Sequence, residues 1–214
     1  MLYELGRSGD DSVFVRSYSA LLLLELLHRN LEKAFFDSLR LELVYNTVND
    51  VFLREQDYRA VVHGKGWAYA TAPIGDNFLQ LSRTKALEPT RQNEILTTIG
   101  VKLRSTSTYV FRHLEDERLA YVMLAVLEQG TVTLDFFEHW VAELVTFSGS
   151  DYAAIVELPS EQHAAYNNVR MFLTNLSFQL RFRKNPLLQA EAFDKMLEEG
   201  LKRLDPGFYT DFAA

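Results

Sequence analysis

Residues 119–127 read LAYVMLAVL, nine hydrophobic residues in succession, and residues 20–27 read ALLLLELL, with a single charge. Helices that are apolar nearly all round are usually sandwiched between other helices. Each run is followed by a segment that contains a Phe pair and ends in Glu-Leu-Val: KAFFDSLRLELV at 33–44 and LDFFEHWVAELV at 134–145. This weak internal repeat predicts an array of helical hairpins, each covering the apolar face of its neighbour.

Helical periodicity dominates the rest of the chain, and no alternating strand is convincing. Capping residues at Asp10 and Thr133, prolines at Pro89 and Pro159, and a stop at Gly130 mark helix ends. The predicted helices cover about residues 10–28, 31–49, 59 or 66 to 83, 89–104, 115–129, 133–149, 159 onward, and 187–204. We therefore predict an all-α fold, a right-handed α-α superhelix of stacked antiparallel hairpins of the HEAT or armadillo kind, as one domain over residues 1–214.

Composition excludes several classes of function. The chain has 214 residues, no cysteine and a net charge of −7. Without cysteine there are no disulfides or thiolate metal sites, and the cytoplasm is the expected location. The start lacks the pattern of a signal peptide, and no apolar run approaches the roughly 20 residues that span a bilayer. The negative charge disfavours nucleic acid as a partner, because that affinity comes largely from neutralised phosphates.

Three phrases occur in order: SVFVRSYSALLLLELL at 12–27, DYRAVVHGKGWAYATAPIGDNFLQL at 57–81 and LEDERLAYVMLAVL at 114–127. Together they resemble the bacterial domain-of-unknown-function 2785 family. The resemblance implies an all-α superhelical fold and no known activity. Family members usually carry a further helical segment before the matching part, so a shortened member, a late start and a fragment are all open.

The family pattern usually reads G-W-A-H-A-x-A-H-x-A-D where this chain has residues 66–76. Tyr69 and Pro73 stand in the places of the two histidines, and Asp76 is kept. On a helix these three positions share one face, where two imidazoles could hold a metal or move protons. With both imidazoles lost, we expect no metal site, no catalytic residue and no cofactor. Two interpretations remain: a packing helix kinked at Pro73 with Asp76 bonded internally, or a pocket lined by Trp67, Tyr69 and Asp76.

Arg16 and Arg59 are the next candidates. Arg16 lies in an apolar helix, where a buried guanidinium needs a carboxylate or carbonyl partner. The acids available in the matching phrases are Asp76, Asp116 and Glu117. A structural ion pair and a ligand-binding arginine are both open.

The segment HGKGW, residues 63–67, has two glycines that permit unusual backbone angles, so a tight loop opening a helix is expected. Its polar side chains could face a groove. The candidate groove residues are therefore Arg16, Arg59, His63, Trp67, Tyr69 and Asp76.

Three hypotheses about function follow. The first is a non-catalytic scaffold that binds a protein or peptide on its concave surface. The second is an enzyme or small-molecule-binding protein, which requires Arg16, Arg59 and Asp76 to converge, unpaired, on one polar pocket between hairpins. A helical-repeat nucleic-acid protein ranks third, because it needs a continuous basic groove that the net charge does not suggest. Separately, a homodimer is expected if the face formed by Phe14, Tyr18 and Leu22 lacks a cover.

Overall fold

The computed structural model of the protein describes residues 1–147 and 158–206, and this part of the chain is mostly helical, as predicted. It contains eight helices and two short strands. The helices are α1 (Ser12–Glu32), α2 (Ser38–Arg54), α3 (Thr71–Ser82), α4 (Thr90–Arg104), α5 (Glu115–Glu128), α6 (Leu134–Leu144), α7 (Ser160–Phe182) and α8 (Ala190–Leu204). The strands β1 (Val61–Val62) and β2 (Gly66–Trp67) form an antiparallel hairpin between α2 and α3.

The chain divides into two compact units, Met1–Thr98 and Ile99–Ala214. The predicted single repeat-like domain therefore stays a prediction. In the first unit, α1 and α2 both pack against α3. The Phe78 ring of α3 meets the rings of Phe52 and Tyr45 edge to face, at centroid distances of 5.5 and 6.2 Å. This makes α3 the central helix of the first unit, and most of its residues are buried.

In the second unit, α7 packs against both α5 and α8, and α6 packs against α8. The Phe137 ring of α6 lies 4.9 Å from that of Phe193 in α8, and Trp140 lies 6.2 Å from Phe172 in α7. Every residue from 119 to 127 is buried except Tyr121, so the first apolar run is enclosed as predicted. The equivalent prediction for residues 20–27 of α1 is wrong in the described structure, where half of that run is exposed.

Local end signals identified the later helices well. Thr133 accepts a hydrogen bond from the backbone N–H of Phe136 and caps α6, and Gly130 follows α5 in the left-handed conformation that favours glycine. Helix α7 begins directly after Pro159. The predicted stop at Gly149 lies outside the described residues.

The boundary between α1 and α2 differs from the prediction. Helix α1 continues through Asn30 to Glu32, and α2 begins at Ser38, not at residue 31. The reason is that Asn30 accepts hydrogen bonds from the backbone N–H groups of Phe35 and Phe36, which shapes the connecting segment, and Asp37 then caps α2. Phe35 therefore precedes its helix, whereas Phe136 lies inside α6, so the matched Phe pairs are not structurally equivalent.

The packing of α6 on α8 depends on a glycine. A Cβ at Gly200 would lie 2.6 Å from Cγ1 of Val141, which is too close for any real contact. We predict that Gly200→Ala lowers the free energy of unfolding by about 1–3 kcal/mol through overpacking. Without that contact, alanine would stabilise the helix by about 1 kcal/mol relative to glycine. A destabilising change therefore shows that the contact is the dominant effect.

Urea unfolding measures this effect, and Val141→Ala is the matched background because it removes the contacting atom. In that background Gly200→Ala should be neutral or stabilising. An equal loss in both backgrounds would show that the contact is not the cause.

Candidate functional site

The segment HGKGW forms the turn and second strand of the β-hairpin. Val61 pairs with Trp67 and Val62 with Gly66, and the N–H of Lys65 donates to the carbonyl of Val62. The φ angle is +75° at Gly64 and +99° at Gly66, which explains both glycines. The expected tight loop is present, but a helix beginning at Arg59 or Gly66 is wrong, because α3 starts only at Thr71.

The hairpin presents apolar side chains to solvent. Val61 and Trp67 are cross-strand partners and are 62% and 57% exposed. The Trp67 ring meets the Tyr69 ring at a steep angle, with centroids 5.6 Å apart. His63 and Lys65 are exposed at the turn. We refer to Val61, His63, Lys65, Trp67 and Tyr69 as the hairpin surface.

Contacts with α1 hold the hairpin in place. The Lys65 ammonium lies 2.6 and 2.7 Å from the two carboxylate oxygens of Asp11, beside the start of α1. The Ser17 hydroxyl donates to the carbonyl of Tyr69 at 3.0 Å. At the base of the hairpin, the N–H of Ala68 donates to the carbonyl of Ala60 at 2.7 Å. The surface is therefore attached at its turn and at its exit.

A buried ion pair joins Arg16 of α1 to Glu55, the residue that follows α2. Arg16 and Glu55 are both fully buried, with Nε to Oε2 at 2.5 Å and Nη2 to Oε1 at 2.9 Å. The other guanidinium donors reach the Ser12 hydroxyl and the carbonyls of Glu4 and Arg7. Arg16 thus joins α1 to the end of α2 and to the N-terminal segment.

Its carboxylate partner is Glu55, so the suggested acids Asp76, Asp116 and Glu117 were wrong. Glu55 directly follows α2 and lies outside the phrases that carry the family resemblance. Glu55 was not among the acids considered from the sequence. The available signal was the cluster of charges in EQDYR, residues 55–59, which places two acids and an arginine within five residues.

The cluster continues through Asp57 and Arg59. Asp57 is buried and accepts hydrogen bonds from the backbone N–H of Gly9 and from the Arg59 guanidinium, with Nη2 to Oδ2 at 2.6 Å. Arg59 also donates to the carbonyl of Asp10 at 2.6 Å. Burial alone raises the pKa of Asp57, but the hydrogen bonds from Arg59 and Gly9 and the guanidinium charge outweigh it, so this pKa lies below its usual value. Arg16, Glu55, Asp57 and Arg59 form what we refer to as the ion cluster.

Tyr69, Pro73 and Asp76 do not share a helical face, because Tyr69 precedes α3. Pro73 is in the first turn of α3, where its missing N–H would have no intrahelical partner anyway, so the predicted kink has no cause there. The Asn77 amide donates to the carbonyls of Pro73 and Ala20, which ties α3 to α1. Asp76 is buried in the same helix.

Four of the six candidate residues therefore separate into two sets. Arg16 is buried and Arg59 half-buried, and each is paired with a carboxylate, whereas His63 and Trp67 are exposed on the hairpin. The condition for a small-molecule pocket, unpaired arginines converging in a closed cleft, is not met by Arg16 and Arg59.

A cleft that sequence reasoning did not identify lies between α6 and α8 in the second unit. Its volume is about 260 Å³. The apolar part consists of Val141, Ala142, Ala192, Met196 and Gly200, and the charged part of Glu138, Lys195, Glu199 and Arg203. Among the described residues, no three His, Asp or Glu side chains are grouped so as to hold a metal ion. None of the helices in the described ranges is long and apolar enough to cross a membrane.

Comparison with known proteins identifies the family. The model of the family described as "Protein of unknown function (DUF2785)" matches residues 1–178, so the chain belongs to this family. No curated protein and no solved structure matches the chain. The matched part includes the hairpin surface and the whole ion cluster.

Removal of one partner of the buried ion pair should be costly. Glu55→Gln leaves the Arg16 charge buried without its counter-ion, and we predict a loss of about 3–5 kcal/mol in the free energy of unfolding. Asp50→Asn is the control, because Asp50 pairs with Arg54 on the exposed side of α2. That change should cost no more than about 0.5 kcal/mol. Equal losses in urea unfolding would contradict the structural role of the pair.

The ion cluster should also make the free energy of unfolding depend on pH. The pKa of Asp57 is lower in the folded state than its unfolded value of about 3.9, so the unfolded state binds more protons near that pH. The stabilisation is complete above the unfolded pKa and is lost as the pH falls through the folded pKa. Below about pH 4, the free energy of unfolding should therefore fall more steeply with decreasing pH in the wild-type protein than in Asp57→Asn. Parallel curves of stability against pH would rule this out.

Proposed function

We propose that the protein is a non-catalytic, cytoplasmic module that binds a protein or peptide through the hairpin surface. The observation that supports this most is Trp67, 57% exposed on a hairpin that is fixed to α1. Exposed tryptophans on preorganised backbones are frequent centres of binding energy in protein interfaces. A folded protein gains little by exposing so large an apolar side chain unless a partner covers it.

The chemistry of the hairpin surface suggests the kind of partner. Val61 and Trp67 offer an apolar platform, and the Tyr69 ring supports the indole from one side. The Lys65 charge is balanced by Asp11, so the surface offers no strong attraction for phosphate. The favoured ligand is therefore a peptide segment with a large apolar or aromatic side chain.

The rigidity of the surface strengthens this proposal. The ion cluster fixes the residues that enter β1, because Arg59 immediately precedes Ala60 and is held by Asp57 and the carbonyl of Asp10. A platform that is already ordered loses little conformational entropy on binding. Binding to it needs no group with perturbed acid–base chemistry.

We further propose that the helices form the right-handed α-α superhelix of a single repeat-like domain. Two packing patterns support it. Helix α3 covers apolar faces of both α1 and α2, and α7 does the same for α5 and α8, as expected when hairpins stack on their neighbours.

A small-molecule-binding protein is the second candidate, and the cleft between α6 and α8 favours it. A lining of apolar side chains with a few charged groups is typical of ligand pockets, although about 260 Å³ is slightly below their usual range of about 300–1,000 Å³. Extra mass released as one compound in native mass spectrometry would support this candidate over the peptide-binding proposal.

Trp67→Ala tests the leading proposal. Peptides selected from a phage-displayed random library on the wild-type protein should bind Trp67→Ala at least about tenfold more weakly, because a central tryptophan typically contributes 2 kcal/mol or more. The same peptides should bind Leu188→Ala normally, since Leu188 is also highly exposed but lies in the second unit. Unfolding of both variants should match the wild type within about 0.5 kcal/mol.

Failure to enrich any peptide, or equal binding to wild type and Trp67→Ala, would refute the assignment of the hairpin surface.

A further inference from the structure

Helix α1 exposes a continuous apolar face. Val15, Tyr18, Leu22 and Leu26 are 47%, 55%, 69% and 49% exposed, and their spacings of three and four residues place them along one side of the helix. Among the described residues, the opposite side, which includes Val13, Ala20 and Leu27, is buried. The face is therefore a stripe of large side chains directed away from the core of the first unit.

Helix α5 illustrates the burial expected of an apolar helix. Both helices are apolar nearly all round, but α5 is enclosed over its whole apolar run except at Tyr121. A helix with apolar residues on every side is expected to be packed on every side. The stripe on α1 thus indicates a missing partner, and the expected Phe14 is not part of it, because Phe14 is half-buried.

The arrangement of the stripe identifies that partner. Residues 15, 18, 22 and 26 lie nearly symmetrically about position 20. If a second copy of α1 runs in the opposite direction, Val15 faces Leu26 and Tyr18 faces Leu22, and each contact occurs twice, as a two-fold axis requires. A parallel arrangement would instead place each residue against itself.

Charge at the two ends of the stripe favours the same direction. Asp11 lies four residues before Val15, and Arg29 lies three residues after Leu26, so both continue the stripe. Antiparallel pairing brings Asp11 of one copy close to Arg29 of the other at both ends. Parallel pairing would place like charges together, and it would also align the two helix dipoles unfavourably.

We propose that the protein forms a homodimer in which α1 pairs antiparallel with α1 of a second copy. The contact consists of Val15, Tyr18, Leu22 and Leu26, with Asp11 and Arg29 at its ends. This goes beyond the proposed peptide binding, which uses the hairpin surface, so each proposal can fail while the other stands.

Sedimentation of the full chain tests the association. The wild-type protein should sediment at twice the 24.6 kDa mass of the chain. Leu22→Glu leaves the core intact, since Leu22 is exposed, but it puts one carboxylate in each half of the interface, two in all. It should weaken the dimer at least about tenfold, whereas Leu188→Glu should not. A wild-type monomer, or a Leu22→Glu protein that remains dimeric, would overturn the proposal.

Crosslinking tests whether the two α1 helices run antiparallel. The chain has no cysteine, so any disulfide must involve the introduced residues. A chain carrying Val15→Cys, mixed with a chain carrying Leu26→Cys, should form a mixed disulfide on mild oxidation. Neither variant alone should crosslink, because eleven residues of helix separate the identical positions by roughly 16 Å, well beyond the reach of a disulfide. Efficient crosslinking of either variant with itself, or failure of two folded variants to form the mixed disulfide, would contradict antiparallel pairing.

Discussion

The first unit depends on the buried pair between Arg16 and Glu55. A guanidinium taken out of water is costly unless all of its donors are satisfied, and here a bidentate carboxylate, a hydroxyl and backbone carbonyls together satisfy them. Because these partners come from α1, the end of α2 and the N-terminal segment, one side chain fixes three parts of the chain. The hairpin begins a few residues after Glu55, so the pair also helps to fix the position of the hairpin surface.

Sequence patterns predicted the helices wherever the controlling residues were local. Thr133 and Gly130 act within one turn of the helix that they cap or end, and both were identified. Asn30 was misread because asparagine often ends helices, whereas here it stays inside α1 and binds backbone groups five and six residues ahead. The hairpin was missed for a related reason, since strands of two residues are too short to show alternation.

In the candidate site, too, the sequence identified residues with local signals but not their partners from distant parts of the chain. Arg16 could be recognised as a residue that needs a counter-ion, because it interrupts an apolar helix. Its partner could not be chosen from the sequence, since Glu55 is far along the chain and the choice depends on how α1 and α2 both meet α3. Trp67 was a candidate from the sequence and its binding role stays a prediction, but it was expected to lie in a helix and lies in a strand.

The two proposed surfaces meet at Asp11. Its carboxylate binds Lys65 of the hairpin, and the same residue begins the stripe on α1. An exposed pair of this kind contributes little stability by itself, so Arg29 of a second copy can approach Asp11 without disturbing the core. The hairpin is held independently by the Ser17 contact and by the ion cluster, and these do not involve the stripe. Dimer formation through α1 is therefore compatible with a hairpin surface that keeps its shape. A dimer would present two such surfaces related by the two-fold axis, so a partner with two binding segments would bind it more tightly than the same segment does as a single peptide.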